Sequence, residues 1–453
     1  MSCIAGRLAL RCLCRTKNDS THLVRHMSFL SEFQKSLKEK HPFAPIQFGP
    51  TDNRPPDEAD IVIIGGGLVG SSIAYFLKRK IVRGMRVVVI ERDPAYTRAS
   101  SVLSVGGIHQ QFSLPENVQM SMYGAEFLRN IKEHLTVDDA DPPDVQFNPQ
   151  GYLFLATEKS ARQMKANYDI QRENGAKVEL LTATKVKEKF PWINTDGIEL
   201  ASYGTENEGW FDPWCLLAAL KQKAKSLGVQ YVHGNVTGFT LRKDKIPKGG
   251  PYDPYYDNRI RNVKISMPNS PEMIPLSAAV VINAAGPQAG HLSNLLKIGD
   301  GKNEMSVSLP VEPRKRYVYV CYCPSGPGLD CPLVVDPTGA YFRREGLGGN
   351  YIAGLSPTQI KSAWAGFYDY NTVDQNAIIG VHPIISNFFF ANGFSGHGIQ
   401  QAPAIGRAMS ELLLEQSYKT IDLSRFGFQR FIDQQLLYET NYSSNVKTED
   451  VNV

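Results

Sequence analysis

Residues 61–64 form an unbroken apolar run, Ile-Val-Ile-Ile, followed by glycines and then by a segment, 71–80, whose apolar positions recur with helical spacing. A second apolar run over 86–90 ends on Glu91, so the pattern predicts strand, helix and strand in succession, one βαβ unit. Residues 102–135 carry helical spacing in their second half, 151–156 begin a strand-rich texture, and 160–190 alternate polar helix with short strand. A well-signalled helix opens at Asp212-Pro213, where a carboxylate can cap the first turn and proline suits the first helical position. Leu216, Leu217 and Leu220 share its face, Lys221, Lys223 and Lys225 crowd its end, and Gly228 lies beyond. Its exit strand is 229–232. An apolar strand at 278–284 meets Gly286, strands return over 309–354, and a last helix follows Gly398 and runs through 408–414.

The nucleotide-type segments and the strand-rich segments alternate along the chain, which implies two interleaved domains, neither contiguous in sequence. The boundaries expected are 58–147, 210–305 and 371–435 for the first and 148–209 with 306–370 for the second. A leader and proline-punctuated linker precede them over 1–45, and a tail follows over 436–453.

A chain of 453 residues suits two to three domains. With 42% apolar and 21% charged residues it can fill a packed interior, which excludes wholesale disorder. No run approaches the ~18 apolar residues that a spanning helix needs, so no transmembrane segment is expected. The net charge of +4 is unevenly placed: residues 1–40 hold eight Lys and Arg against three acids, leaving the remainder near neutral and without the basic footprint of a nucleic-acid binder. The first 18 residues contain no acid, and Arg7, Arg11 and Arg15 recur every fourth position among apolar residues. That basic stripe is the pattern of a mitochondrial import peptide, which places the expected location in mitochondria. Of seven cysteines, Cys3, Cys12 and Cys14 fall in the leader. Cys215, Cys321, Cys323 and Cys331 form no CxxC pair, so they read as reduced thiols and no metal site is expected.

Gly65, Gly67 and Gly70 satisfy GxGxxG between the first strand and its helix, with Glu91 21 residues after Gly70 at the end of the next strand. This is the setting of a dinucleotide fingerprint: Gly65 for the tight turn, Gly67 for approach of a pyrophosphate to the helix N-terminus, Gly70 for close packing, and Glu91 for a ribose. A carboxylate at that position would repel a 2′-phosphate, which disfavours NADP. FAD and NAD share this half-site. Residues 98–107, Arg-Ala-Ser-Ser-Val-Leu-Ser-Val-Gly-Gly, offer small side chains for a second phosphate or ribityl chain. Gly393, Gly396 and Gly398 precede the last helix, whose positive end would stabilise the negative charge of a reduced flavin.

These motifs, together with INAAG at 282–286, WAGFYDYNTVDQNAIIG at 364–380 and GFSGHG at 393–398, resemble the superfamily of D-amino-acid oxidase, sarcosine oxidase and dimethylglycine dehydrogenase. The resemblance implies an α/β fold in which a three-layer Rossmann-like FAD-binding domain is interleaved with an antiparallel-sheet substrate domain, of glutathione-reductase-2 type. Further motifs, among them LSVGGIHQQFSLPEN, EGWFDPWCLL and GFSGHGIQQAP, resemble a mitochondrial member needed for assembly of respiratory complex I. Subunits or assembly intermediates of that complex are therefore the implied partners, with a place on the matrix side of the inner membrane. An active amine or N-methyl-amino-acid dehydrogenase acting on a small amine is the alternative.

Carried onto this chain, the resemblance makes Gly65, Gly67, Gly70, Glu91, Arg92, Ser100, Ser101, Val236, Gly286, Gly393, Gly396 and Gly398 the cofactor-binding candidates. Relatives tether FAD through a His where this chain has Ser104, or through a Cys near Gly366 or Phe367, so the FAD is expected to be noncovalent. A substrate-holding Lys is replaced by Gln400 and a partner Arg falls near His109 or Gln110. No catalytic residue is assigned. His109, Arg316 and Gln400 are the substrate-side candidates, and Arg314, Lys315, Arg343 and Arg344 are further cations. Relatives also carry a longer stretch between 358 and 364. The short connection over 357–362 is expected either to close a tight hairpin or to strain the strand containing Trp364.

Overall fold

The computed structural model describes residues 53–138, 140–242, 259–354 and 360–440. The expected leader, and the tail beyond Thr440, lie outside the described residues. The first sheet is built on β1 (Glu58–Ile64), whose residues 61–64 are all buried. It pairs in parallel with β2 (Val87–Glu91) on one side and β11 (Met273–Asn283) on the other. β8 (Gln230–His233) extends the parallel order beyond β2, and β18 (Phe388–Asn392) does so beyond β11. An antiparallel β17 (Ile378–Val381) closes that edge, and β9 (Asn235–Arg242) with β10 (Arg259–Ser266) forms an antiparallel flap on β11. Parallel strands covered on both faces need continuous apolar sequence, which is why the runs at 61–64 and 87–90 do not alternate.

Helices cover this sheet. α1 (Leu68–Lys80) buries Leu68, Ile73, Ala74, Phe76 and Leu77 and packs against the long final helix, Gly398–Glu415. α2 (Pro115–Arg129), α5 (Pro213–Ser226) and α6 (Gly398–Glu415) complete this set, while α3 (Glu158–Glu173) and α4 (Ala183–Lys189) pack on the second sheet. The Asp212 side chain caps α5, accepting the N–H groups of Trp214 at 2.8 Å and Cys215 at 3.2 Å.

The second sheet runs β16 (Ser362–Asn371), β12 (Val311–Tyr322), β15 (Asn350–Gly354), β14 (Tyr341–Glu345), β13 (Leu333–Val335), β4 (Tyr152–Ala156), β6 (Leu200–Gly204) and β5 (Val178–Thr182). Its pairs are antiparallel except β13 with β4. A two-residue ribbon, β3 (Gly107–Ile108) with β7 (Gly209–Trp210), ties the loop after β2 to the segment before α5. The described end of the tail is a strap. The Glu439 carboxylate accepts the Ser113 N–H at 2.6 Å and the Asn117 amide at 2.5 Å, and the Asn167 amide donates to the Thr440 carbonyl at 2.7 Å.

The hairpin expected at 357–362 is not formed. β15 and β16 are each antiparallel to β12 and lie on either side of it, so they run parallel to one another and cannot be joined by a turn. Residues 355–359 lie outside the described residues, and so does any account of strain there.

Candidate functional site

The glycine turn between β1 and α1 is held from several sides. Gly65 has φ +103°, and a Cβ there would meet the Ala284 carbonyl oxygen at 2.3 Å; a Cβ on Gly70 would meet the Gly65 oxygen at 2.0 Å. Both positions need glycine for backbone contact alone. Gly67 differs, because its Cβ direction meets only Ser101 Oγ, at 3.5 Å, and opens onto the N-terminal end of α1. Glu91 anchors the turn: Oε2 accepts the Gly66 N–H and Oε1 the Asp93 N–H, each at 2.8 Å. Burial raises its pKa. Two bonds leave a carboxylate with lone pairs to spare for ribose hydroxyls. Tyr96, which the sequence does not single out, donates its buried hydroxyl to the Gly66 carbonyl at 2.9 Å.

Ser101 accepts the Leu68 N–H at 3.3 Å, which brings residues 98–104 to the mouth of α1. The same loop is clamped on β16: Ser100 Oγ donates to the Phe367 carbonyl, Trp364 Nε1 donates to the Leu103 carbonyl at 2.9 Å, and Gly366 leaves room for Leu103. Ser104, Gly366 and Phe367 carry neither imidazole nor thiol. Arg92 is exposed just past β2, and Val236 is buried at the start of β9 with its side chain in the core. Only the Val236 backbone is therefore placed to meet a ligand. Gly286, with φ +53°, faces open space beyond β11.

The loop 393–398 enters α6 with φ +73° at Gly393 and +104° at Gly396, and no side chain caps the helix at His397. Its anchor is Asp369, whose Oδ2 accepts the Phe394 N–H at 3.1 Å while its carbonyl accepts the Ser395 N–H at 3.0 Å. Burial pushes the Asp369 carboxyl up to about 6. With no side-chain cap among the described residues, the positive end of α6 is open to an anion.

Of the substrate-side candidates, His109 and Gln400 lie in one buried cluster and Arg316 lies on β12. His109 is stacked on Phe112 with ring centroids 4.5 Å apart and lies against Tyr152, Phe154 and His397. Burial holds its pKa well below 6.5, so it is neutral and does not replace a fixed cation. His397 is likewise held down to about 4 by burial. Gln400 Oε1 accepts the His109 N–H at 2.8 Å and its amide nitrogen lies 3.2 Å from His397 Nδ1, so it ties the cluster together. Arg343 is occupied by the Val105 carbonyl and by Glu345, and Arg344 by the Pro327 and Leu347 carbonyls. Arg314 and Arg316 share the face of β12 and β16 that meets the loop 98–104. Their guanidinium carbons lie 3.4 Å from the Tyr370 ring and 5.4 Å from the Tyr368 ring, with no ion pair among the described residues. Lys315 is on the opposite face.

One buried acid escaped the sequence reading. Glu208, fully buried, accepts the Gln110 N–H at 2.9 Å and the Gln111 amide at 2.8 Å, holding the segment just after His109. Burial pushes its pKa up to about 8. It opens the motif EGWFDPWCLL, but nothing in the local sequence Thr-Glu-Asn-Glu-Gly-Trp signals its burial.

A strand-glycine-helix turn with an acid at the next strand end, a second glycine-rich helix entry and open ground at Gly67, Gly286 and Gly396 define a dinucleotide-dependent oxidoreductase fold. A family model described as FAD dependent oxidoreductase matches residues 60–357 and 349–412, and the chain belongs to this family. A FAD-dependent oxidoreductase domain-containing protein 1 from Xenopus laevis is 50% identical over 469 residues, covering 94% of this chain and 93% of the relative. The Drosophila melanogaster homolog is 39% identical over 419 residues, covering 84% of this chain and 80% of its own length. Among solved structures, the L-proline dehydrogenase from P. horikoshii matches with TM-score 0.68 at 26% identity, over 84% of this chain and all of that one.

FAD is the cofactor, and the residues present fit it without a covalent tether. The glycine turn, Glu91 and Ser101 would hold the dinucleotide, and the loop 393–398 with α6 would face the flavin. When bound, FAD supplies a two-electron acceptor. Gly67 and Ser101 admit and orient it, and α6 offers positive potential.

Proposed function

We propose that this protein is a mitochondrial FAD-binding factor in the assembly of respiratory complex I, with the flavin fold serving as a platform. The observation that carries this reading is the neutral cluster of His109, His397 and Gln400, where a fixed cation would be needed to orient an amino-acid carboxylate. The basic stripe of Arg7, Arg11 and Arg15 supports import, and contact with the inner membrane runs through partner subunits, since no described helix is long and apolar enough to cross it.

A second reading, an amine dehydrogenase, is favoured by Arg314 and Arg316, whose guanidinium groups meet tyrosine rings and, among the described residues, no carboxylate. Cells lacking the protein separate the two. Assembled complex I on native gels should be restored by wild type and by Arg316→Ala, and not by Gly67→Val. Failure of Arg316→Ala, together with bleaching of the flavin by an added amine under anaerobic conditions, would favour the enzyme.

A further inference from the structure

Aspartate is a poor strand residue, and a buried carboxyl with no cation beside it is costlier still. Asp369 is both. It lies between Tyr368 and Tyr370 near the end of β16, is 8% exposed, and forms no ion pair among the described residues. Its bonds all reach the loop before α6. Oδ2 accepts the Phe394 N–H at 3.1 Å and the Asp369 carbonyl accepts the Ser395 N–H at 3.0 Å, while the Asn371 N–H donates to Ser395 Oγ at 3.0 Å. Gly393, Ser395 and Gly396 all have positive φ, so the loop is not held by regular structure and the end of β16 supplies its anchors. A neutral amide could accept the Phe394 N–H equally well. Anchoring alone does not call for an acid.

The surroundings leave the charge of Asp369 to that loop. Pro313 lies opposite it on β12; Glu312 and Arg314 point to the other face of the sheet, and Lys315, two residues on, is exposed. The turn Gly286–Gln288, packed on β12 and β16, carries no titratable group. His397 beyond the loop is neutral, and Asp374 is paired with Arg430. Burial and the opposing N–H groups of Phe394 and Gly393 place the carboxyl at about 6, so at pH 7 it is mostly ionised. The same loop and the positive end of α6 face the flavin, whose reduced form carries negative charge. Two like charges sharing one site push a carboxyl toward its protonated form.

We propose that Asp369 is a positioning residue that couples flavin reduction to proton uptake, its carboxylate taking a proton when negative charge arrives on the cofactor that faces the loop it anchors. In balance, a two-electron reductant delivers two electrons to the flavin together with one proton. A second proton, from solvent, bonds to an Asp369 carboxylate oxygen, and no bond between protein and cofactor forms or breaks. The inference rests on FAD as the cofactor and is independent of the function proposed above.

The test uses the full-length, FAD-loaded protein, with the flavin midpoint potential measured by anaerobic dye equilibration from pH 5.5 to 8.5. Above pH 6 the potential of wild type should fall with pH more steeply than that of Asp369→Asn, by up to one proton per two electrons, about 30 mV per pH unit. The two potentials should lie close together at pH 5.5. By pH 8 the variant's equilibrium should stand at least tenfold further toward reduced flavin, about 30 mV or more. The asparagine oxygen still accepts the Phe394 N–H, and a role in anchoring alone would change flavin content or melting temperature and leave the slope as it is. Equal slopes in the two proteins would overturn the proposal, whether shallow in both or steep in both; in the second case the extra proton would belong to another group, such as His397. In wild type alone, the reduced-minus-oxidised infrared difference spectrum should gain a carboxylic acid carbonyl band that shifts in D2O. Its absence would overturn the proposal even if the variant lost its flavin.

Discussion

Glu208→Gln should stabilise the protein, by an amount that grows with pH. The carboxyl is fully buried and its pKa stands at about 8, against an ordinary value of 4.5. The folded state therefore keeps a proton that the unfolded chain gives up, and stability falls as pH rises from 4.5 to about 8. Each pH unit in that window costs roughly 1.4 kcal/mol, which accumulates to about 3 kcal/mol at pH 7. A glutamine has no such cost. Its oxygen can keep the Gln110 N–H, and its NH2 can donate to Gln111 Oε1, which has no partner among the described residues in the wild type. Turning the Gln111 amide sacrifices its 3.0 Å bond to the Tyr152 carbonyl, a loss of about 1 kcal/mol. The net expectation is a variant about 2 kcal/mol more stable at pH 7 and close to wild type or slightly weaker at pH 5. Urea denaturation at pH 5, 6, 7 and 8, with FAD in constant excess, measures the difference between the two proteins. Contributions from Asp369 and the buried histidines are common to both and cancel. Stability curves that stay parallel from pH 5 to 8 would refute the reasoning, because the Glu208 carboxyl would then be ionised in the folded protein as it is in the unfolded one.

Gly67→Val should abolish flavin retention while moving the melting temperature of the flavin-free protein little, since its side chain enters open ground; Gly65→Ala should destabilise the fold itself by about 3 kcal/mol or more, because the Cβ strikes the Ala284 carbonyl at a positive φ, and melting curves of the two variants show the contrast. Acid precipitation should release all flavin colour to the supernatant, and colour in the pellet would reveal a covalent bond. Glu439→Ala should cost about 1–3 kcal/mol, read by urea denaturation, because the Ser113 N–H and the Asn117 amide lose their acceptor. Replacing Arg7, Arg11 and Arg15 by Glu should prevent import into isolated mitochondria, scored by protection from added protease.

Local chemistry made much of the first sheet legible. A run such as Ile61 to Ile64 can only be a strand buried on both faces, Asp212-Pro213 announces a helix because cap and proline act within one turn, and the glycines at 65, 67 and 70 with Glu91 specify a turn by their spacing. The sequence could not say how the glycines divide their work, since the contact of Gly65 with Ala284 joins residues far apart in the chain, while Gly67 is left free for a ligand. Charge was the least legible property. His109 reads as a possible cation, yet aromatic neighbours from β4 and the loop before α6 strip it of water and keep it neutral, and Glu208 reads as an ordinary surface acid until Gln110, Gln111 and Gly204 of β6 enclose it. Strand direction was equally hidden: the spacing around 357–362 suits a hairpin, and only the pairing of β15 and β16 on opposite sides of β12 shows that no turn can join them. The sequence by itself determined what depends on neighbours a few residues apart, namely strand, helix, cap and glycine turn. Burial, ionisation and sheet order were decided by the tertiary structure, because each depends on which distant segments exclude water from a given side chain.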